Sequence, residues 1–190
     1  MKKYEFTGET KKSGIFGNIT VRRIRAIISF GNVNAGDLGG WIEKEENLSQ
    51  ANNAWVYGDA WVCGNAEVCG NAAICGNAKV YGNAKVYDNA EVYDNAVVYG
   101  NAVVYGNAEV CGNAEVLHTN HLLVIGPAGS RNDFTTFFRD KDKEITVKCG
   151  CFLGRIDKFL EKVQETHGDS KYALIYIKAA EIAKLQIEND

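Results

Sequence analysis

The repeat that decides the fold lies between Asn53 and Leu117 and reads NAWVYG-DAWVCG-NAEVCG-NAAICG-NAKVYG-NAKVYD-NAEVYD-NAVVYG-NAVVYG-NAEVCG-NAEVL. Alanine recurs every six residues, and valine (isoleucine at position 74) follows two residues after each alanine. The units follow one another without an insertion and form a true repeat, which must be interpreted before any single residue.

Each hexad combines a short strand with a corner. Side chains alternate between the two faces of a strand, so Ala and Val share one face while x and Tyr of Ala-x-Val-Tyr share the other. The Gly-Asn pair that follows suits a sharp turn, and Asp88 and Asp94 can replace glycine there because aspartate also tolerates a left-handed backbone. Three such sides close a triangle of eighteen residues. Stacked triangles predict a mainly β protein built on a parallel β-helix of about 3.7 coils, roughly 18 Å tall.

The small-x-aliphatic pattern resembles the hexapeptide-repeat family, and the resemblance implies a left-handed β-helix. The common family pattern has Gly, Ala or an acid after the aliphatic residue, whereas Tyr or Cys stands there in this chain. The GNAxVYGNA style is similar to proteins of phages and prophages, as are the segments AGDLGGWIEKEENLS, GSRND and CGCF. The family implies cyclic threefold assembly with ligand sites commonly between subunits. Its commonest activity is acyl-CoA-dependent acyl transfer.

The composition is that of a globular protein. The 190 residues are 46% hydrophobic and suffice for one domain with a good core or two small ones. No apolar run approaches 18 residues, and the first twelve residues lack the apolar segment of a secretory signal, so we expect a cytoplasmic protein (host cytoplasm if phage-encoded) with no membrane partner. The six cysteines are expected to be reduced thiols, several of them substituting for the repeat tyrosine.

Three regions follow from the repeat. Residues 1–53 form an N-terminal cap with degenerate first coils, residues 54–125 the β-helix, and residues 126–190 a small C-terminal α+β domain beyond Gly126-Pro127. In the last region, 133–139 and 144–149 are predicted strands of a hairpin. Helices are predicted from Asp157 to about Thr166 and from Ser170 to about Glu188.

The basic charge is concentrated near the N-terminus. Residues 1–31 carry seven basic and two acidic side chains, whereas residues 32–125 carry three basic and eleven acidic ones. This acidic column does not favour DNA binding, which needs a broad basic face. Arg22, Arg23 and Arg25 lie on a predicted strand within 19–28, which either only covers the first coil or also supplies an anion site.

The outward positions of the repeat are unusually apolar. Trp55, Trp61, Val97, Val103 and the tyrosines all fall on the outer faces, and contiguous exposed apolar surface usually marks an interface. We therefore predict self-association as a homotrimer or higher oligomer. Its interface residues are Val97, Val103, Tyr99 and Tyr105. Stacked aromatic residues that only stabilise the ladder are the alternative.

The repeat decays at residues 117–125, where His118 stands at a corner and His121 at an outward position. A neutral histidine near a subunit boundary could act as the general base of an acyltransferase, but no carboxylate partner is identifiable. Two histidines do not make a metal site. We therefore predict no catalytic residue, no metal and no cofactor, with His118 and His121 as the catalytic alternative.

The loop that opens the C-terminal region is the most suggestive chemically. Ser130, Arg131 and Asn132 offer backbone N–H groups and a guanidinium that can hold a phosphate through two parallel hydrogen bonds, and Thr135 adds a hydroxyl. The alternative is a linker in which Arg131 pairs with an acid such as Asp133. The nearby Cys149-Gly-Cys151 lacks the spacing of zinc or redox pairs and predicts buried core thiols.

These observations favour a non-catalytic, homo-oligomeric phage-type binding protein. Its predicted ligand is a small anionic nucleotide derivative, an immune second messenger that the protein sequesters. The predicted ligand-binding residues are Ser130, Arg131, Asn132 and Thr135, with the cap residues Arg22, Arg23 and Arg25. The alternatives are an acyl-CoA-dependent acyltransferase and a structural or protein-inhibitor scaffold.

Overall fold

The computed structural model describes residues 2–12 and 19–187. The chain begins with three antiparallel strands, β1 (Tyr4–Lys12), β2 (Thr20–Ala26) and β3 (Leu38–Ile42). One turn of 3₁₀-helix follows at Glu45–Asn47. Strand β2 confirms the cap strand predicted within 19–28, whereas β1 and β3 were not predicted.

Each hexad contributes one two-residue strand to the column. These strands are β4 (Trp55–Val56), β5 (Trp61–Val62), β6 (Glu67–Val68), β7 (Ala73–Ile74), β8 (Lys79–Val80), β9 (Lys85–Val86), β10 (Glu91–Val92), β11 (Val97–Val98), β12 (Val103–Val104), β13 (Glu109–Val110) and β14 (Glu115–Val116).

Residues eighteen apart are parallel neighbours, as the hexad arithmetic predicts. Val97, for example, pairs with Lys79 below and Glu115 above. The three sides of the triangle are the sheets β4-β7-β10-β13, β5-β8-β11-β14 and β6-β9-β12. The column makes about four turns, which confirms the predicted β-helix.

The interior of the column contains the alanine and aliphatic positions of the hexads. Every one of these side chains from Ala54 to Val116 is at most 1% exposed. Small and larger side chains alternate along each side because they occupy positions i and i+2 of a strand. Burial of each valine stabilises the column by about 1.5–3 kcal/mol relative to an exposed one.

The corners adopt the conformation that glycine favours. Gly82 has φ +72°, and Asp88 and Asp94 both have φ +59°, which confirms that aspartate replaces glycine there. The aspartates also bridge coils: the Asp88 carboxylate accepts a 3.2 Å hydrogen bond from the Gly106 N–H, and that of Asp94 accepts a 3.1 Å bond from Gly112. Each carboxylate thus satisfies a backbone donor in the coil above.

The corner asparagines form hydrogen-bonded ladders between coils. The amide of Asn53 donates to Asn71, that of Asn71 to Asn89 and that of Asn89 to Asn107, at 3.0–3.2 Å. Shorter ladders occupy the other two corners. Stacked amides of this kind stabilise parallel strands.

The N-terminal strands extend one side of the column and cover its tryptophans. Strand β3 pairs in parallel with β5, giving a continuous sheet β1-β2-β3-β5-β8-β11-β14. Trp55 is 1% exposed beneath Tyr4 and Phe30, and Trp61 is 7% exposed beside Trp41. The prediction that these two tryptophans are part of an exposed apolar exterior is therefore wrong.

The C-terminal region is an antiparallel sheet with two helices. Its strands are β15 (Leu122–Ala128), β16 (Asp133–Arg139), β17 (Ile145–Cys149) and β18 (Phe152–Arg155), in sequential order. The helices α1 (Ile156–His167) and α2 (Lys171–Ile187) pack on this sheet around Phe137, Val147 and Phe159. The predicted hairpin and both helices are confirmed.

The junction between column and C-terminal sheet lies earlier than the predicted boundary at 125/126. After β14, one 3₁₀ turn at Thr119–His121 leads directly into β15. Leu122 of β15 and Phe138 of β16 pack into the core of the column, and these two strands also begin the C-terminal sheet. The two regions share core side chains, and Gly126-Pro127 coincides with a shift in the β15–β16 pairing between Ile125 and Ala128.

Candidate functional site

The predicted ligand loop borders a cleft in the C-terminal region. The cleft has a volume of about 510 Å³ and lies between the loop after β15, the β17–β18 turn and the end of α1. Its lining residues are Ser130, Arg131, Cys149, Cys151, Phe152, Phe159, Lys162, Val163, Thr166, His167 and Tyr176. None of these is acidic, so the cleft presents basic, polar and apolar groups without a carboxylate.

One wall of the cleft is aromatic. The rings of His167 and Tyr176 stack with centroids 5.7 Å apart at 26°, and Phe159 meets Tyr176 edge-on at 5.6 Å. Phe152 lies 5.5 Å from Phe159. These contacts hold the rings in place, and the chain forms this wall because α1 and α2 pack against each other with their aromatic positions facing the sheet.

The turn containing Ser130 forms another edge of the cleft and contacts the aromatic wall. Its hydroxyl lies 3.4 Å from Nε2 of His167. Gly129 has φ +71°, and a Cβ at that position would lie 2.1 Å from the Tyr176 hydroxyl oxygen. Glycine is therefore required where the loop crosses the aromatic wall.

Arg131 is the main basic group of this edge. It is exposed at the cleft, and its guanidinium lies against Gly150, where an added Cβ would come within 2.7 Å of Nη1. Within residues 2–12 and 19–187, the Arg131 side chain makes no hydrogen bond or ion pair. The alternative partner Asp133 instead accepts a 2.8 Å hydrogen bond from the Phe134 N–H. A guanidinium without a carboxylate can offer its full fork of donors to an anion.

The other residues predicted for this loop do not enter the cleft. Asn132 is an exposed turn residue with φ +51°, and Thr135 is 3% exposed with its hydroxyl donating to the Cys149 sulfur at 3.2 Å. Cys149 is half-buried and Cys151 is exposed, so the prediction of two buried core thiols is wrong for Cys151. Cys151 is exposed because it lies in the two-residue turn between β17 and β18, outside both strands.

The cap arginines lie at the other end of the column. Arg25 pairs with Glu5 at 2.5 Å, Arg23 lies 3.5 Å from Glu9, and Arg22 stacks on the ring of Phe6. The column separates these arginines from Arg131. Strand β3 of the cap pairs with β5, whereas the C-terminal sheet packs beside β14. Strands β5 and β14 are three strand spacings apart along the column axis, or about 14 Å. The two predicted anion contacts therefore do not form one site within a protomer.

The two histidines of the alternative catalytic site have different environments. His121 is fully buried, its Nδ1 accepts a 3.3 Å hydrogen bond from the Leu117 N–H, and Arg139 Nη1 lies 3.4 Å from both ring nitrogens. The prediction that His121 points outward is wrong, because a 3₁₀ turn replaces the expected repeat strand. His118 is exposed, with its ring centroid 5.4 Å from that of His121.

The predicted interface residues lie on two sides of the column. Val97 and Val103 are half-buried, and the Tyr99 hydroxyl donates to Glu115 at 2.9 Å; burial and this carboxylate raise the pKa of Tyr99 to about 12. Tyr105 is 51% exposed and stacks on the repeat tyrosine of the coil below at 5.7 Å. The aromatic ladder is thus present, and self-association through these residues stays a prediction.

A second, smaller groove runs beside the side of the column that carries Val103 and Tyr105. It has a volume of about 320 Å³ and lies between the column and the C-terminal sheet, with Val103, Tyr105, Leu123 and Phe134 among its lining residues. Over the described part of the chain, no cluster of three or more metal-ligating side chains occurs. None of the helices formed by described residues is long and apolar enough to cross a membrane.

Comparison with known proteins gives one limited similarity. No family model matches the chain. A stretch of 62 residues is 39% identical to a protein of Escherichia coli (strain K12) named "Uncharacterized acetyltransferase YdcK"; it covers 30% of this chain and 19% of that protein. The chain thus matches about a fifth of the relative's length. Together with the solenoid, this similarity fits a hexapeptide-repeat protein.

Sequence reasoning missed most of the cleft. His167, Tyr176, Phe152 and Lys162 join Ser130 and Arg131 only through the packing of α1 and α2. His167 stands in an HGD segment that marks a helix end, and that segment was the one local signal.

Proposed function

We propose that the protein is a non-catalytic, homo-oligomeric binding protein that sequesters a nucleotide-derived second messenger in the cytoplasm of a phage-infected host. The observation that carries this proposal is the Arg131 guanidinium, which forms no ion pair with a carboxylate among residues 2–12 and 19–187 and borders an aromatic cleft without acidic lining residues. The resemblance to phage and prophage proteins supplies the biological context.

The cleft suits a molecule with a planar ring and a phosphate. Arg131 can bind two phosphate oxygens in parallel, and the Lys162 ammonium, which pairs with Glu165 at 3.0 Å on the surface of α1, adds positive charge at the rim. The partly exposed ring of Phe152 provides an apolar face for a base, and such stacking contributes about 1–3 kcal/mol per base. A volume of about 510 Å³ lies within the range of small-molecule sites.

Binding without turnover agrees with the positions of the histidines. His121 is enclosed and hydrogen-bonded to the backbone, so it serves the junction of column and sheet. The Ser130 hydroxyl, 3.4 Å from Nε2 of His167, can donate a hydrogen bond to a bound phosphate. A rigid scaffold loses little conformational entropy when the ligand binds, which favours tight retention.

Calorimetry with a nucleotide panel tests the proposal. The panel contains adenosine, a nucleoside monophosphate, a cyclic mononucleotide, a cyclic dinucleotide and ADP-ribose. We expect one phosphorylated member to bind at micromolar affinity or tighter and to be recovered unaltered. Arg131→Ala should weaken its binding about 10- to 100-fold, as loss of a charge-assisted pair predicts.

Arg25→Ala is the matched control, since it removes an arginine of the opposite end that pairs with Glu5. Unchanged binding in this variant assigns the anion contact to the cleft, and a loss assigns it to the cap. Absence of binding across the panel, together with no ligand retained in native mass spectrometry of protein from cells, contradicts the proposed function.

The oligomer is proposed to form through the column face of Val97, Val103, Tyr99 and Tyr105, as a homotrimer or higher assembly. Lysine at both valine positions should dissociate it, because two unpaired ammonium groups would be enclosed in the interface. Light scattering that shows an unchanged oligomer for the Val97→Lys/Val103→Lys variant contradicts this assignment.

An acyl-CoA-dependent acyltransferase is the second candidate, favoured by the similarity to the Escherichia coli protein named an acetyltransferase. Of the two histidines, the exposed His118 is the one that solvent and substrate can reach. Acetyl-CoA turnover that is lost in His118→Ala, in protein with unchanged thermal unfolding, supports this activity and opposes a purely binding role.

A further inference from the structure

Helix α2 carries apolar side chains on two opposite faces. One face, which includes Ala173, Tyr176, Ala180 and Ala183, is at most 5% exposed against the sheet and α1. On the other side, exposed side chains are Leu174 at 57%, Ile182 at 48% and Leu185 at 74%. Large apolar side chains exposed on one face of a helix indicate a surface that a partner covers.

The outer face has heptad spacing. Leu174, Lys178, Glu181 and Leu185 follow one another at intervals of four, three and four residues, and at 100° per residue they form one stripe directly opposite the buried face. Two leucines thus flank a central pair of opposite charge. Within the helix, Lys178 Nζ lies 2.8 Å from the Glu181 carboxylate.

This stripe is complementary to a reversed copy of itself. When two α2 helices pack antiparallel about a twofold axis through their centre, Leu174 faces Leu185 of the partner subunit, and Lys178 faces Glu181 of the partner subunit. The arrangement repeats by symmetry, which is the property of an isologous interface. Parallel packing would instead oppose Lys178 to Lys178 of the partner subunit, which like-charge repulsion disfavours.

We propose that this stripe is a self-association surface, on which a second copy of the chain packs its α2 in the antiparallel direction. The contact is separate from the column face proposed above and goes beyond the proposed ligand binding. The helix has 17 residues and is therefore about 26 Å long. Two such helices bury an area at the low end for specific interfaces, so we expect a weak, concentration-dependent dimer.

Charge reversal and its repair test the proposal. Sedimentation of the full chain at roughly 1–200 µM, the range expected of a weak dimer, measures the association of wild type, Lys178→Glu and Lys178→Glu/Glu181→Lys. The single variant places Glu against Glu181 of the partner subunit and should weaken dimerisation at least about tenfold. The double variant restores both the intrahelical and the intermolecular pairs and should return the dissociation constant to within about threefold of wild type.

Lys158→Glu on α1 is the matched control. Lys158 pairs with Glu161 at the same three-residue spacing and the same 2.8 Å, so the variant has the same charge change and the same intrahelical loss. It should leave association unchanged. The proposal is overturned if this control weakens the concentration-dependent association as much as Lys178→Glu does. It is also overturned if Lys178→Glu leaves that association unchanged, or if wild type, whether a monomer or the column-face oligomer at the lowest concentration, shows no further association up to the highest concentration.

Cysteine crosslinking tests the direction of packing. In a Cys151→Ser background, Leu174→Cys/Leu185→Cys should form a disulfide between protomers under mild oxidation, whereas Leu174→Cys alone should not. A crosslink from the single variant shows parallel packing, and no crosslink from the double variant shows that the two positions do not meet. Either result overturns the antiparallel arrangement, irrespective of any outcome at the ligand cleft.

Discussion

Lys3 is a buried lysine between the cap and the first coil, and its protonation should control stability at alkaline pH. The side chain is 1% exposed, its Nζ donates to the Ala54 carbonyl at 2.7 Å and lies 3.4 Å from that of Asn52, and the Phe30 ring centroid is 4.8 Å away. Burial lowers the pKa of Lys3 from 10.5 to about 8. The folded protein therefore releases this proton at a lower pH than the unfolded chain does.

Proton linkage determines whether the free energy of unfolding rises or falls with pH. Between pH 8 and pH 10.5 the unfolded chain binds more protons at Lys3 than the folded protein, so this residue makes the free energy of unfolding rise with pH. The complete effect is about 3 kcal/mol, and about 2 kcal/mol of it should appear between pH 7 and pH 9.5. Below pH 8, where Lys3 is charged in both states, its contribution is constant and unfavourable.

The assay is urea unfolding, followed by tryptophan fluorescence, of wild type and Lys3→Met at pH 7 and pH 9.5. Tyr4 and Cys63 act in the opposite direction, because burial raises the pKa of each, that of Cys63 to about 12. They are present in both proteins, so the difference in unfolding free energy isolates Lys3. Lys2→Met is the matched control, since Lys2 is exposed and pairs with Glu45 at the surface.

From pH 7 to pH 9.5, we expect the free energy of unfolding of wild type to rise by about 2 kcal/mol relative to that of Lys3→Met. The free energy of unfolding of Lys2→Met should change with pH as that of wild type does. A difference between wild type and Lys3→Met that stays constant within about 0.5 kcal/mol would refute the reasoning, because Lys3 would then titrate alike in the folded and unfolded states.

Two further predictions concern the corners of the column. Gly82→Ala should destabilise more than Gly106→Ala: both have positive φ, but only at Gly82 does an added Cβ lie 2.9 Å from a backbone nitrogen, that of Gly100. The shared strain costs about 1 kcal/mol and the clash about 1–3 kcal/mol more, so equal melting temperatures would contradict the model of coil contact. Asn89→Ala removes two ladder bonds and Asn107→Ala removes one. Asn89→Ala should therefore lower the free energy of unfolding about twice as much as Asn107→Ala, at about 0.5–1.5 kcal/mol for each bond lost. A larger loss of stability in Asn107→Ala, measured by thermal unfolding, would argue against additive ladders.

The column could be predicted almost completely from the sequence because its determinants are local. Every hexad repeats the same strand and corner, so period, register, the buried alanine and valine positions and the replacement of glycine at Asp88 follow from residues close in the chain. What the repeat does not encode is whether another segment covers an outward position. Trp55 is buried because Tyr4 packs on it, about fifty residues earlier in the chain.

The cleft was predictable only in part, for a related reason. Ser130 and Arg131 stand in a loop whose composition suggests anion binding, whereas His167 and Tyr176 reach the same place through the packing of two helices. His167 is 37 residues from Ser130, and no local periodicity links the two. Ser170 caps α2 as its sequence position indicates, whereas α1 begins at Ile156, one residue before the predicted start at Asp157, without a side-chain cap. Which helix face meets which loop depends on tertiary contacts.

The way the C-terminal sheet docks makes the cleft a rigid attachment to the column. The Glu109 N–H donates to the Thr136 hydroxyl at 3.1 Å, Lys148 pairs with the Glu109 carboxylate at 3.1 Å, and Gln186 on α2 donates to the Leu122 carbonyl at 2.6 Å. Coils of the column repeat the same surface and cannot by themselves recognise one particular ligand. The recognition proposed above therefore depends on the irregular chain beyond the last coil. These contacts hold that chain in one orientation, so that the proposed ligand binding would need little ordering of the protein.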